Sequence, residues 1–288
     1  MNARDRLLAE IPAEERHHEA AGIATAFLEG GDGPPIVLLH GPGEFAAKWL
    51  YVIPGLVATN RVVAPDLPGH GESGVPDGEL DAERVLDWLD ELIARTCPEP
   101  PVLVGHVLGG AIAARYACRR GARLDRLVLV DSLGLAPFRP APSFGLAMVR
   151  FLARPSERSY ERFMRRCSHD LDALQAQMGE LWRPFEDYNL EGARSPVGKA
   201  ALRALMKKVG TPVIPPGDLA NIAVPTALIW GRHDLAIRPR IAEAASARYG
   251  WPLHVVDGVA DDPPRDAPEA FIEALRDALA EQSEKEAA

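Results

Sequence analysis

The 288-residue chain is poor in cysteine, in aromatic side chains and in long apolar runs, and each shortage closes off a class of protein. Its three cysteines, Cys97, Cys118 and Cys167, are odd in number, lie far apart and form no C-x-x-C. That usage argues against a disulfide scaffold and a cysteine metal site. It suits reduced thiols, and a cytoplasmic location is expected. No metal and no cofactor is implied. No run approaches the roughly 18 apolar residues of a membrane span. The opening segment MNARDRLLAEIPAEERHH (1–18) is charged throughout and lacks the apolar stretch of a signal peptide. Basic residues are in the minority, 32 Lys and Arg against 41 Asp and Glu, for a net charge of −9. Such a balance favours solubility and argues against a nucleic-acid surface. The expected partner is a small-molecule substrate or ligand, with neither membrane nor nucleic acid; the oligomeric state is left open.

What the chain does have is alternation. Short continuous apolar runs recur at IVLLH (36–40), RVVAP (61–65), PVLVG (101–105), RLVLVD (126–131), PTALIWG (225–231) and PLHVV (252–256). A further strand is expected at GIATAFLE (22–29), before the turn cluster GGDGPP (30–35). Between the runs lie helical stretches at 79–97, 109–120, 238–249 and 267–281. The first places Leu80, Val85, Leu86, Leu89, Leu92 and Ile93 on one face. Continuous rather than alternating hydrophobicity fits parallel strands buried on both sides, so a doubly wound, mostly parallel α/β sheet is expected. From about 133 to 220 the rhythm stops and only helical stretches such as 157–167 and 199–209 remain. That segment is read as a helical cap or lid (133–220) inserted into a core of 1–132 and 221–288. Its arginines, Arg154, Arg158, Arg162, Arg165 and Arg166, fit a solvated helix face with Glu157 and Glu161 nearby, or a face towards an acidic ligand.

Four glycine-bearing motifs follow the runs in order: HGPGE (40–44), DLPGHGES (66–73), GHVLGG (105–110) and WGRHDLAI (230–237). Together they resemble the α/β-hydrolase superfamily, in its lidded branch of esterases, epoxide hydrolases and carbon–carbon bond hydrolases, over residues 20 to 280. The resemblance implies an oxyanion hole with backbone donors around Gly43 or Glu44 and at Leu108. It implies a nucleophile at the third position of GHVLGG, on a strained strand-to-helix turn. That position is Val107, which has neither a lone pair to attack with nor a proton to lose. A β-branched side chain at positive φ is also costly. The triad acid falls on Asp234, with Asp131 as the alternative position, although either carboxylate also suits a turn or helix cap. The histidine position aligns with Asp261 in GVADDPPRDAPEAF (258–271), and no histidine follows His254.

Two of three triad positions are therefore replaced. Asp234, Asp261 and Asp262 are expected close together, where two carboxylates in one dry site cannot both ionise cheaply. A raised carboxyl can serve as general acid or base. Asp261 or Asp262 capping the following helix is the alternative. His40 and His106 flank the expected pocket as structural residues, while Ser73 and Ser132 lie on the wrong loops to replace the nucleophile. Three readings follow. The first is an enzyme working by carboxylates and oxyanion-loop donors: a lyase, cyclase, isomerase or hydrolase. The second is a non-catalytic binding protein for a small apolar ligand. The third is a conventional ester or carbon–carbon hydrolase with an unrecognised nucleophile.

Overall fold

The structure, a computed structural model, describes residues 2–75 and 80–287, with residues 281–287 described by backbone only. Eight strands form one sheet: β1 (Glu14–Ala20), β2 (Ile23–Gly30), β3 (Pro35–Leu39), β4 (Arg61–Pro65), β5 (Val102–His106), β6 (Arg126–Val130), β7 (Thr226–Gly231) and β8 (Leu253–Val256). Their order is β1-β2-β4-β3-β5-β6-β7-β8. β1 and β2 form an antiparallel hairpin, β2 joins β4 antiparallel, and β3 to β8 are parallel. The strands β3, β5, β6 and β7 are buried along their whole length, as their unbroken apolar runs require.

Sequence pattern does not reveal β1. Its residues EERHHEA carry no apolar alternation, and all but Ala20 are exposed. The strand exists because a two-residue turn, Ala21 at φ 48° and Gly22 at φ 70°, folds it back on β2. Charges along this edge discourage further strand pairing.

Helices cover both faces. In the core are α1 (Ala3–Leu8), α2 (Ile53–Leu56), α3 (Ala82–Thr96) and α4 (Leu108–Arg120). Between β6 and β7 the chain forms the helical insertion: α5 (Pro142–Ala153), α6 (Glu157–Cys167), α7 (Leu171–Met178), α8 (Trp182–Arg194), α9 (Pro196–Leu205) and α10 (Pro216–Ala220). The core then closes with α11 (Arg240–Tyr249), α12 (Pro263–Asp266) and α13 (Pro268–Ala287). Helix α3 buries Val85, Leu86, Leu89, Leu92 and Ile93 as its spacing demands; Leu80 is buried ahead of it, and Glu79 lies outside the described residues. Trp88 joins that face and donates from Nε1 to Thr25 Oγ1 at 2.8 Å. The helix expected at 199–209 ends at Leu205 and continues as a π turn over Met206–Gly210. There a Cβ on Gly210 would stand 3.1 Å from Leu108 Cδ1, so the turn brings the lid backbone onto the start of α4.

Strand order fixes where a site belongs. The chain runs from β3 outward to β4, then crosses back over β3 to β5. Ligands in open α/β sheets bind outside the carboxyl ends of strands at such a reversal. The chain leaves β3 through the loop 40–44 and turns from β5 into α4 at Val107.

Candidate active site

The turn after β5 is sharp and strained. Val107 has φ 48° and ψ −100°, a conformation that costs a β-branched residue on the order of 1–3 kcal/mol. Three backbone hydrogen bonds impose it. Val107 N–H donates to Val130 O at 3.0 Å, while its carbonyl accepts from Ala111 N at 3.1 Å and Leu133 N at 3.1 Å. The neighbouring glycines admit the helix: a Cβ on Gly105 would lie 2.4 Å from Gly109 O, and one on Gly109 2.3 Å from Leu39 O. Of the two outcomes open to a valine here, retained strain or a relaxed turn, the structure shows retained strain. The Val107 side chain is half-buried against the core.

His40 is a fastener. Its Nε2 accepts from Leu67 N at 2.9 Å and its Nδ1 meets Gly41 O at 2.8 Å, so the ring is the neutral Nδ1–H tautomer. Burial lowers its pKa to about 4, and its carbonyl accepts from Gly109 N at 3.1 Å. One residue thereby ties the β3 loop to the 66–73 loop and to α4. Ser73 is likewise structural, its Oγ donating to Asp66 O at 2.7 Å and accepting from Ala26 N at 3.0 Å. Ser132 donates to Leu133 O at 2.9 Å.

Glu44 turns back into its own loop. Its Oε2 accepts from Gly41 N at 2.8 Å and lies 3.7 Å from His106 Nδ1, and its Oε1 lies 3.7 Å from Lys48 Nζ. Burial pushes its carboxyl up, but Lys48, His106 and Arg265 outweigh that and hold it well below the usual carboxylate range. His106 Nε2 contacts Asp261 O at 2.8 Å, while its Nδ1 is buried without a hydrogen-bond partner. His106 therefore links the β5 turn to the loop before α12.

Asp261 and Asp262 are adjacent in sequence and diverge in space. Asp262 pairs with Lys48 Nζ and with Arg265 Nη1 at 2.8 Å, and Arg265 Nε reaches Asp266 at 3.3 Å. Asp262 is the residue before α12, yet its side chain makes no cap hydrogen bond, so the expected capping role is replaced by an ion pair. Asp261 instead joins the acids of β6 and β7. Asp131 (φ 42°) accepts from Gly231 N at 3.0 Å, and Asp234 accepts from Ala236 N at 2.6 Å and Ile237 N at 2.8 Å. The turn-capping role of Asp234 is thus real. The remaining Oδ2 atoms of Asp131 and Asp234 have no hydrogen-bond partner among the described residues, and each carboxyl acts electrostatically on the other.

Burial, followed by the charge of Asp234, drives Asp131 well above the ordinary aspartate value. Burial raises Asp234 to about 6, with the Ile237 and Ala236 amides restraining it. Burial, then Asp234 and Asp262, drives Asp261 well above as well, and its Oδ1 is buried without a partner. Sequence reasoning overlooked Lys48 and Arg265. Their local spacings, Glu44 to Lys48 and Asp262 to Arg265, were readable signals, whereas Lys48–Asp262 bridges 214 positions.

The lid closes over these loops. Gln177 of α7 donates to Arg265 O at 3.0 Å, the Arg265 guanidinium lies 5.3 Å from the centroid of Phe185 in α8, and Asp261 N donates to Cys167 O of α6 at 3.3 Å. Between lid and β3 loop, a cavity of about 20 Å3 is lined by Glu44, Lys48, Met178, Phe185, Tyr188 and Arg265, among others. That volume suits about one water.

With this geometry in hand, the chain compares as follows. A family model described as the alpha/beta hydrolase family matches residues 36–274. The chain is 32% identical to a pimeloyl-[acyl-carrier protein] methyl ester esterase of Aeromonas hydrophila, over 85% of this chain and 95% of that one. It is 33% identical to the dihydrolipoyllysine-residue acetyltransferase component of the acetoin cleaving system of Pseudomonas putida, over 84% of this chain and 62% of that one. Among solved structures, the 2-hydroxy-6-oxo-6-phenylhexa-2,4-dienoate hydrolase of Rhodococcus sp. strain RHA1 superposes with a TM-score of 0.81 at 23% identity. The match covers 93% of this chain and 99% of that one.

Proposed function

Because the chain belongs to the alpha/beta hydrolase family, we propose that it is an enzyme acting on a small, largely apolar molecule without a serine nucleophile. In this reading Val107 stands at the nucleophile position and forms an apolar floor. Backbone donors around Gly43, Glu44 and Leu108 polarise the substrate oxygen. Asp261, a carboxylic acid kept protonated by burial and by its neighbours, is the general acid, and Asp234 with Asp131 holds the charge that keeps it so. Relatives whose names include an ester esterase and a dienoate hydrolase support an oxygen-bearing, mainly carbon substrate. The cavity beside the β3 loop has about 20 Å3, so a substrate reaching Glu44 through it requires α7 and α8 to shift.

The observation that carries this reading is Asp261 Oδ1, a buried acid atom with no protein partner beside the strained turn-bearing strand. The test pairs two measurements on a panel of esters, lactones and vinylogous diketones. Asp261→Asn is expected to lower kcat at least a hundredfold with an unchanged circular dichroism spectrum. Fluorophosphonate is expected to label no serine. Unchanged turnover in Asp261→Asn removes the acid role, and labelling of a single serine restores conventional hydrolysis. The second reading, a non-catalytic ligand-binding protein, is favoured by the fixed, ion-paired setting of Glu44 and Lys48. It gains if apolar ligands raise the Tm and none is turned over.

A further inference from the structure

We propose that the open groove at the seam between lid and core, which adjoins the proposed reaction site at Asp234, is a binding site for a phosphate-bearing small molecule. The groove has a volume of about 570 Å3. Its lid wall carries Arg165 and Arg166, at the end of α6; its core wall carries Arg232, Arg238 and Arg240, around the loop from β7 into α11. In a chain of net charge −9, five guanidinium groups thus face one open space.

Their pairing is uneven. Arg165 is engaged by Glu161 and Asp172, each at 3.1 Å, as a solvated helix face would be. Arg232 pairs with Asp257 at the rim, and Arg238 Nη2 donates to Arg139 O at 3.2 Å. Arg166 and Arg240 have no carboxylate within ion-pair distance among the described residues, and both are exposed. The acids in the groove itself are Glu243 and Asp234, and Asp234 Oδ1 is already occupied by two backbone amides. His169 of the lid stacks on His233 of the core, ring centroids 4.1 Å apart and planes 13° from parallel. That stack spans the seam and sets the spacing between the two basic walls.

A monocarboxylate would satisfy one guanidinium fork and leave the others unmatched. Phosphate groups, with three outer oxygens and up to two charges, can accept from arginines on both walls at once. With Arg166 and Arg240 on opposite walls, a diphosphate is the probe that offers a phosphoryl group to each. Asp234 is shared with the proposed reaction, but the arginines of the groove have no part in it, so substitutions at Arg166 and Arg240 test the groove without touching that reading.

Calorimetric titration of the full chain in 150 mM salt tests the site, with inorganic pyrophosphate and ADP as probes. Saturable one-site binding is expected, weakened at least tenfold in the Arg166→Ala/Arg240→Ala variant and unchanged in Arg158→Ala, which lies outside the groove. The tighter of the two probes then distinguishes a nucleotide from an inorganic source. Absence of binding by both probes, or equal binding in the double variant, overturns the site. Glutarate binding as tightly as pyrophosphate overturns the phosphate assignment. Attachment to anionic phospholipid vesicles without binding of either free probe overturns a small-molecule ligand in favour of a lipid surface.

Discussion

Two groups of buried and half-buried acids lie at the ends of the parallel strands, and they solve the same electrostatic problem in opposite ways. Glu44, Asp262 and Asp266 are interleaved with Lys48 and Arg265. Asp131, Asp234 and Asp261 have no such cation in ion-pair contact among the described residues, and burial raises the pKa of all three carboxyls. Taking a carboxylate out of water is expensive in either group. In the first, opposite charge offsets the cost and Glu44 stays ionised. In the second no cation offsets it, and each carboxyl is displaced towards its neutral form. Asp261 and Asp262 show that the difference is one of position: one peptide unit sends identical side chains into opposite environments.

Removing the cation from the first group should have the largest effect. Lys48→Met leaves Glu44 and Asp262 short of their ammonium, and breaking a buried pair costs about 3–5 kcal/mol. Asp131→Asn replaces a protonated acid by a neutral amide of the same shape and is expected to cost about 1 kcal/mol or less at pH 7. Urea denaturation at pH 7 checks the contrast, which breaks if the two variants lose equal stability.

The pH dependence of stability sharpens it next. Asp131, Asp234 and Asp261 have folded pKa values raised above the unfolded value, so the folded protein binds their protons more tightly. Their contribution is full below about pH 4 and is lost as pH rises through the raised values, about 6 for Asp234. Glu44 runs the other way, its contribution present above the ordinary glutamate range and lost as pH falls. Melting curves from pH 3 to 9 should therefore show Asp131→Asn flattening the alkaline decline and Glu44→Gln flattening the acid one. A variant that flattens the wrong limb reverses the assignment of its group.

The smallest expected effect is a control that touches neither group. Val107→Gly releases a positive φ at the cost of some buried apolar surface, for a net gain of about 1 kcal/mol or less. Its melting curve should rise without a change in pH slope. A changed slope would mean that the turn, through His106, couples the two acid groups.

The central parallel strands, the α3 face and the helical insertion were legible because burial on two faces, or on one helical stripe, leaves a periodic mark in the chain. Strand β1 left none, since it is held by a turn and by backbone pairing rather than by apolar side chains. Val107, Asp234 and Asp261 were found through motif order. Lys48 and Arg265 were passed over because an isolated basic residue in a helix usually faces water, and only the fold buries these two.

The amino-acid sequence by itself determined the sheet-forming runs, the valine at the strand-to-helix turn and the aspartates near the strand ends. These depend on residue identity and local spacing. Tertiary structure alone decided that the turn keeps its strained geometry, that Asp262 pairs with a lysine 214 positions away, and that Asp261 is pushed towards its protonated form. Charge state is the reason. A carboxyl's pKa is set by the water it has lost and the charges that replaced it, and both are supplied by chain segments far apart in sequence.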